Sequence, residues 1–164
     1  MKSTITLRPM SADDAQPVMD IFNYYVENSF AAYPQTRLPE AFYPNLMASY
    51  QGYPNAVAVD GDKVVGFGGL RAYSPISTFS HTAEISYFLS PDVTAKGLGT
   101  LMLTHFIEEA KTKNIESIIA SISSLNDVSL AFHKKHGFKI CGTLKSIGRK
   151  NGVSFDVVYM QKMI

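Results

Sequence analysis

The feature that most restricts this chain lies just past its middle. An apolar strand pattern, Ala83–Leu89, is ended by Pro91-Asp92 and followed by the turn Ala95-Lys96-Gly97-Leu98-Gly99, which opens a helix. In that helix Leu98, Met102, Phe106 and Ala110 repeat every four residues, with Leu103 and Ile107 alongside and Thr104, Glu108 and Lys111 opposite. Backbone N–H groups at a helix start have no partner inside the helix, and the helix dipole favours an anion there. The turn is therefore a candidate phosphate cradle. It is not a nucleoside-triphosphate loop, because the closing Gly-Lys-Ser/Thr is missing. It is not a dinucleotide fingerprint either, because Met102 stands where the third glycine belongs and the turn falls too late in the chain.

The rest of the chain alternates strands and helices. Ile5–Arg8 alternates apolar and polar residues and is closed by Pro9. Ser11 stands at an N-cap position, Asp13 and Asp14 suit a first helical turn, and Val18, Ile21, Phe22 and Tyr25 carry a helix to about Val26. A weaker helix is expected around Glu40–Tyr50. Ala56–Val59 and Lys63–Phe67 flank the hairpin signal Asp60-Gly61-Asp62, and Gly68 and Gly69 mark a bulge or a close backbone approach. Ser117–Ser123 is a further strand, and Asn126 caps a short helix ending at Gly137. The last two strands, Phe138–Ile147 and Ser154–Met160, flank Lys150-Asn151-Gly152, where Asn-Gly is a strong hairpin signal. Hairpins at both ends with crossover helices between them predict an α+β fold. Its sheet is mixed, mostly antiparallel, with about seven strands and about four helices, in one domain over residues 1–164.

Composition narrows the function classes. Fifteen basic residues against fourteen acidic ones leave a net charge of +1, no case for a polyanion or an anionic membrane as partner. One cysteine excludes a disulfide framework or a cysteine zinc cage, and four scattered histidines without an HExxH-like pair argue against a metal. The opening MKSTITLRPMSADD has no apolar signal core, so a cytoplasmic protein is expected.

The stretch Thr82–Pro91 followed by Lys96-Gly97-Leu98-Gly99 resembles the central motif of the GNAT acetyltransferases. Asn126–Phe138 resembles their second coenzyme A motif. Within that superfamily the chain is most similar to the phosphinothricin N-acetyltransferase group, on three further segments. These are its opening strand and helix, Gly148-Arg149-Lys150-Asn151-Gly152, and Asp156-Val157-Val158. One position departs: Thr94 stands where the family usually has Arg or Gln.

The resemblance implies an acetyl-CoA-dependent N-acetyltransferase with a sheet splayed in its middle. Glu84, a carboxylate in an otherwise apolar strand, is the candidate general base, and His133 the candidate acid for the leaving thiolate. Backbone N–H groups of Tyr87, Phe88 and Leu89 would hold the thioester arm and its oxyanion, their side chains serving the core. Ala95, Lys96, Gly97, Leu98, Gly99 and Thr100 would cradle the phosphates, with Asn126 and Ser129 along the coenzyme arm. Relatives that take phosphinothricin carry arginines in the loop before the catalytic strand. Here that loop, Tyr73–Ser80, has none, so Arg71, Tyr73 and Phe30 are the candidate acceptor residues. A small primary amine is the expected acceptor. The alternatives are a coenzyme-binding regulatory domain without turnover, or acetylation of a protein N-terminus or lysine. The resembling group also implies a homodimer.

Overall fold

The computed structural model describes residues 4–93 and 97–164. Seven strands form one sheet in the order β1-β2-β3-β4-β5-β7-β6. β1 (Ile5–Arg8), β2 (Asn55–Asp60), β3 (Lys63–Ala72) and β4 (Thr82–Leu89) are successive antiparallel neighbours. β5 (Ser117–Ser123) lies parallel to β4, and β7 (Val153–Met163) and β6 (Lys139–Lys150) complete the far side antiparallel. With α1 (Ala15–Asn28), α2 (Tyr43–Ser49), α3 (Leu98–Thr112) and α4 (Asp127–Lys135), this is the mixed sheet and helix set that the sequence predicts.

The two faces of the sheet bury different helices. α1 and α2 close one core, in which Val18, Met19, Tyr43 and Tyr50 meet Val57 and Phe67. α3 closes the other, its stripe of Leu98, Met102, Leu103 and Phe106 packing on Ala56, Ala58, Leu70, Ile85 and Ile118, with Leu130 and Phe132 of α4 against it. Side chains along a strand alternate between faces. Ile85, Tyr87 and Leu89 therefore belong to the α3–α4 core, while Phe88 packs against the α1–α2 core.

Local details depart from the sequence expectation in physical ways. Ser11 precedes a 3-10 turn, Ala12–Asp14, before α1 starts. Buried Asp14 accepts from the Ser11 N–H at 2.8 Å and from the two terminal guanidinium nitrogens of Arg8 at 2.7 and 2.8 Å. The β2–β3 register shift falls between Ala58 and Val59, so Gly68 and Gly69 mark close approach and not a bulge. A Cβ at Gly69 would sit 2.7 Å from the Pro54 carbonyl, and one at Gly68 2.5 Å from that of Ser86. β6 and β7 run longer than their sequence patterns. Each shelters the other's backbone from Lys139↔Gln161 to Lys150↔Val153, and the turn between them puts Asn151 and Gly152 at φ +51° and +78°.

One irregularity positions everything that follows. β4 and β5 pair only at Thr82↔Ser117, Ala83↔Ile118 and Glu84↔Ile119. Past Glu84, β4 stays with β3 as far as Leu89, and β5 stays with β7 as far as Ser123. The sheet therefore opens into a wedge whose vertex is Glu84.

Candidate active site

The wedge is lined by backbone. The Ser90 N–H reaches the Val65 carbonyl at 2.8 Å, which fixes the alternation along β4. The N–H groups of Tyr87 and Leu89 consequently point away from β3 and into the wedge, where β5 no longer offers a ladder partner. The Phe88 N–H points to β3, so only two of the three predicted backbone donors face the gap. Such a gap has the width and the free backbone donors that an added extended segment would need.

Tyr87 does more than fill the core, as the sequence reading expected of it. Its ring packs on Phe106 and Phe132, and its hydroxyl lies 2.9 Å from His133 Nε2. His133 is buried, 5% exposed, with Nδ1 2.7 Å from the Ser129 carbonyl and 3.2 Å from its hydroxyl. A carbonyl only accepts, so Nδ1 carries the proton and Nε2 accepts from the Tyr87 hydroxyl. Burial pushes His133 below the ordinary histidine value, and pushes the Tyr87 phenol well above its own. The pair is a neutral imidazole facing a firmly protonated phenol.

Around the α3 start, Gly97 has φ +82° and is exposed, a conformation that suits glycine, while Leu98 is buried. A Cβ at Gly99 would press on the Phe132 ring at 3.2 Å. The Thr100 hydroxyl lies 3.1 Å from His136 Nε2, and the His136 ring packs on Phe132 at 4.2 Å. His136 thus ties α4 to the first turn of α3. Asn126 caps α4 through its side-chain oxygen, which accepts the Ser129 N–H at 3.2 Å. Ala95 and Lys96, and the departing Thr94, lie outside the described residues.

On the opposite face Glu84 meets Arg71, its direct partner across the β3–β4 ladder, with Nη2 2.9 Å from Oε1. The pair is half-open to solvent, 43% exposed for the Arg71 side chain and 22% for Glu84. Burial raises the Tyr33 phenol, with Tyr159 and Glu84 adding to the shift. By strand pairing, Tyr159 opposite Ser121 lies on the same sheet face as Glu84 opposite Ile119. Tyr33 stacks on Phe155 at 5.6 Å. Phe30, a candidate acceptor residue, is half-buried and packs edge-on against the same Phe155. Tyr73 is half exposed at the loop and packs on Phe79. Nothing in the sequence pattern marks Tyr159 as sharing a sheet face with Glu84, because that depends on the strand order.

The acetyltransferase (GNAT) family pattern matches residues 18–138. The chain belongs to the GNAT family. It is 31% identical over 162 residues to the L-methionine sulfoximine/L-methionine sulfone acetyltransferase of Pseudomonas aeruginosa, covering 95% of this chain and 92% of that one. It is 30% identical over 161 residues to the phosphinothricin N-acetyltransferase of Streptomyces viridochromogenes, covering 96% and 87%. Among solved structures, a GNAT superfamily phosphinothricin acetyltransferase from Sinorhizobium meliloti in complex with acetyl-CoA superposes with a TM-score of 0.92 at 29% identity, covering 98% of this chain and 89% of that one. This GNAT chain is an N-acetyltransferase with acetyl-CoA as its cosubstrate. Among the described residues no cluster of three or more His, Cys, Asp or Glu side chains is arranged for a metal, and no helix is long and apolar enough to cross a membrane.

Proposed function

We propose that this protein moves the acetyl group of acetyl-CoA directly to the primary amine of a small, amino-acid-like molecule, with Glu84 as the general base. The observation that carries the reading is the position of the Glu84 carboxylate. It lies at the vertex of the wedge, on the α1–α2 face, while Tyr87 and His133 occupy the α3–α4 face. Acceptor and leaving group thus approach the thioester from opposite sides.

The residues divide the chemistry in a consistent way. The amine attacks as the free base, and the proton it sheds goes to Glu84. The carbonyl oxygen gains negative charge as the new C–N bond forms, and the wedge-facing N–H groups of Tyr87 and Leu89 suit that charge. The C–S bond then breaks and the electron pair leaves with sulfur. A thiol with a value near 8.5 can leave as an anion, and the Tyr87–His133 pair supplies a route for its proton. Gly97 to Thr100, with Ala95 and Lys96, would hold the phosphates, and Asn126 and Ser129 would flank the arm. Arg71 uses one of its five N–H donors on Glu84 and keeps others for an acceptor carboxylate, in keeping with amino-acid-like substrates. Tyr73 would edge the entrance.

The chain is proposed to work as one catalytic unit over residues 1–164, as a cytoplasmic homodimer. The dimer reading rests on the edge strand β6 and its turn, where Ile140, Leu144, Ile147 and Val153 are exposed together. Light scattering at twice the chain mass is the expected result, and a monomer at assay concentration would count against it.

The functional test is thiol release from acetyl-CoA over a panel of amino acids, methionine derivatives, other primary amines and peptides. Release with a small amine is expected. Turnover only with peptides or protein lysines would overturn the acceptor class. Coenzyme binding without turnover on any member would favour a regulatory domain.

A further inference from the structure

One of the most fully buried charges among the described residues has no part in the chemistry above. Lys150, the last residue of β6, is 2% exposed. Its ammonium donates to the carbonyls of Val26 at 2.6 Å, Ser29 at 2.7 Å and Ala32 at 2.7 Å. An ammonium has three donors and no acceptor, so these three bonds satisfy it completely. Two of the carbonyls belong to the end of α1, Val26 in its last turn and Ser29 as its C-cap, where carbonyls lack helical partners and the dipole favours a cation. The cation comes from more than a hundred residues away. The Phe30 ring lies over the same ammonium, 6.0 Å from its centroid.

The segment that wraps Lys150 is the one that carries Phe30 and Tyr33 to the site. Its other attachments lie further along. Asn151, next to Lys150, donates its N–H to Gln35 at 3.3 Å, and Asn23 of α1 exchanges two hydrogen bonds with the Leu38 backbone at 2.8 and 2.9 Å. Between Ala32 and Gln35 stands Tyr33, 45% exposed and stacked on Phe155, which by strand alternation lies on the same sheet face as Tyr159 and Glu84. Phe155 in turn packs against Gly148, where a side chain would overlap its ring.

We propose that Lys150 is a positioning residue for acceptor specificity: its ammonium, clamped by Val26, Ser29 and Ala32, holds the Ser29–Pro34 loop so that Tyr33 forms the wall of the acceptor pocket opposite Glu84. Lys150 touches neither coenzyme nor acceptor and acts through Tyr33. This inference rests on the acetyl-transfer reading. It adds that one residue of the β6–β7 hairpin tunes acceptor affinity separately from coenzyme affinity and from the chemical step. Methionine is the discriminating replacement, because it keeps most of the apolar stem and removes the charge.

The experiment compares wild type with Lys150→Met, Tyr33→Ala and the double variant, using the panel amine with the highest kcat/KM. Acceptor KM, kcat and the acetyl-CoA dissociation constant are measured, together with amide exchange over residues 26–38. Lys150→Met is expected to raise acceptor KM by about tenfold or more while kcat stays within about threefold. Coenzyme affinity stays unchanged, and exchange quickens over residues 29–35. Tyr33→Ala gives the same KM phenotype, and the double variant adds little to either single change. An unchanged KM in Lys150→Met, a parallel fall in kcat and coenzyme affinity, or fully additive effects would overturn the positioning role. If Lys150→Met does not fold, Tyr33→Ala alone decides: an unchanged acceptor KM removes the loop from the pocket, and the proposal with it. Wild type without turnover on any amine would sink the functional reading itself, a result distinct from turnover whose KM ignores Lys150.

Discussion

Burial holds His133 below the ordinary histidine value; the Ser129 carbonyl works against that shift and His136 adds to it. The folded protein therefore keeps the ring neutral at a pH where the unfolded chain has begun to take up a proton, near 6.5. Its contribution to stability is complete above about 6.5 and is lost as pH falls toward the lower folded value. Two carboxylates act further down. Asp14, lowered mainly by its hydrogen bonds with Arg8, and Asp156, lowered mainly by the Ser146 N–H, favour the folded state above about 3.9 and cease to do so below it. The melting temperature of wild type should fall from about pH 6.5 toward pH 4.5, and His133→Gln should flatten that slope while lowering the plateau. Equal slopes in the two proteins would mean that the ring titrates alike folded and unfolded. Several residues of the site were legible one by one. Glu84 stood out as a carboxylate among apolar neighbours, and Asn126 as a cap. Lys150 did not, because a lysine beside an Asn-Gly turn reads as solvated surface until the end of α1 is known to arrive there.

The elements were read well where their causes are local. The φ values at Asn151 and Gly152, the stripe of α3 and the alternation of β5 all follow from neighbours a few residues apart. They were read less well where causes are remote. The interruption of β6 between Leu144 and Gly148 depends on Asp156, which accepts the Ser146 N–H at 2.7 Å, with Ser146 at φ +50°. The contact between Tyr87 and His133 joins β4 to α4 across 46 residues. Close packing between β3 and β4 makes Gly68 the sharpest test of this level. An added methyl group would run into the Cβ of Tyr87 and the Ser86 carbonyl, and backbone cannot swing aside as a long side chain can. Gly68→Ala should cost about 1–3 kcal/mol of stability, as overpacking does, and should lower turnover by displacing Tyr87. Thermal unfolding with an unmoved midpoint would show that the two strands are less tightly apposed than described.

For the whole molecule, the wedge organises the function more than any single motif. A sheet that pairs β4 with β5 for three residues and then parts leaves a strand-wide gap, and the proposed function seats the thioester arm there, with the acceptor on one face and the leaving group on the other. The net charge of +1 agrees with this design, since coenzyme phosphates need only local backbone N–H groups and no basic field. Element order and the splay could be anticipated from the motifs. The proposed acceptor side was legible only in part: Arg71 is a candidate from the sequence, whereas Tyr159 and the Lys150 clamp come from the distant β6–β7 hairpin. The most direct measurement of the central claim is the rate of acceptor-dependent thiol release from acetyl-CoA by wild type and Glu84→Gln across pH. General-base catalysis by Glu84 predicts a loss of about 10²–10⁴ at neutral pH, recovering as higher pH supplies the amine already deprotonated. Equal rates and an unchanged pH profile in the two proteins would contradict it.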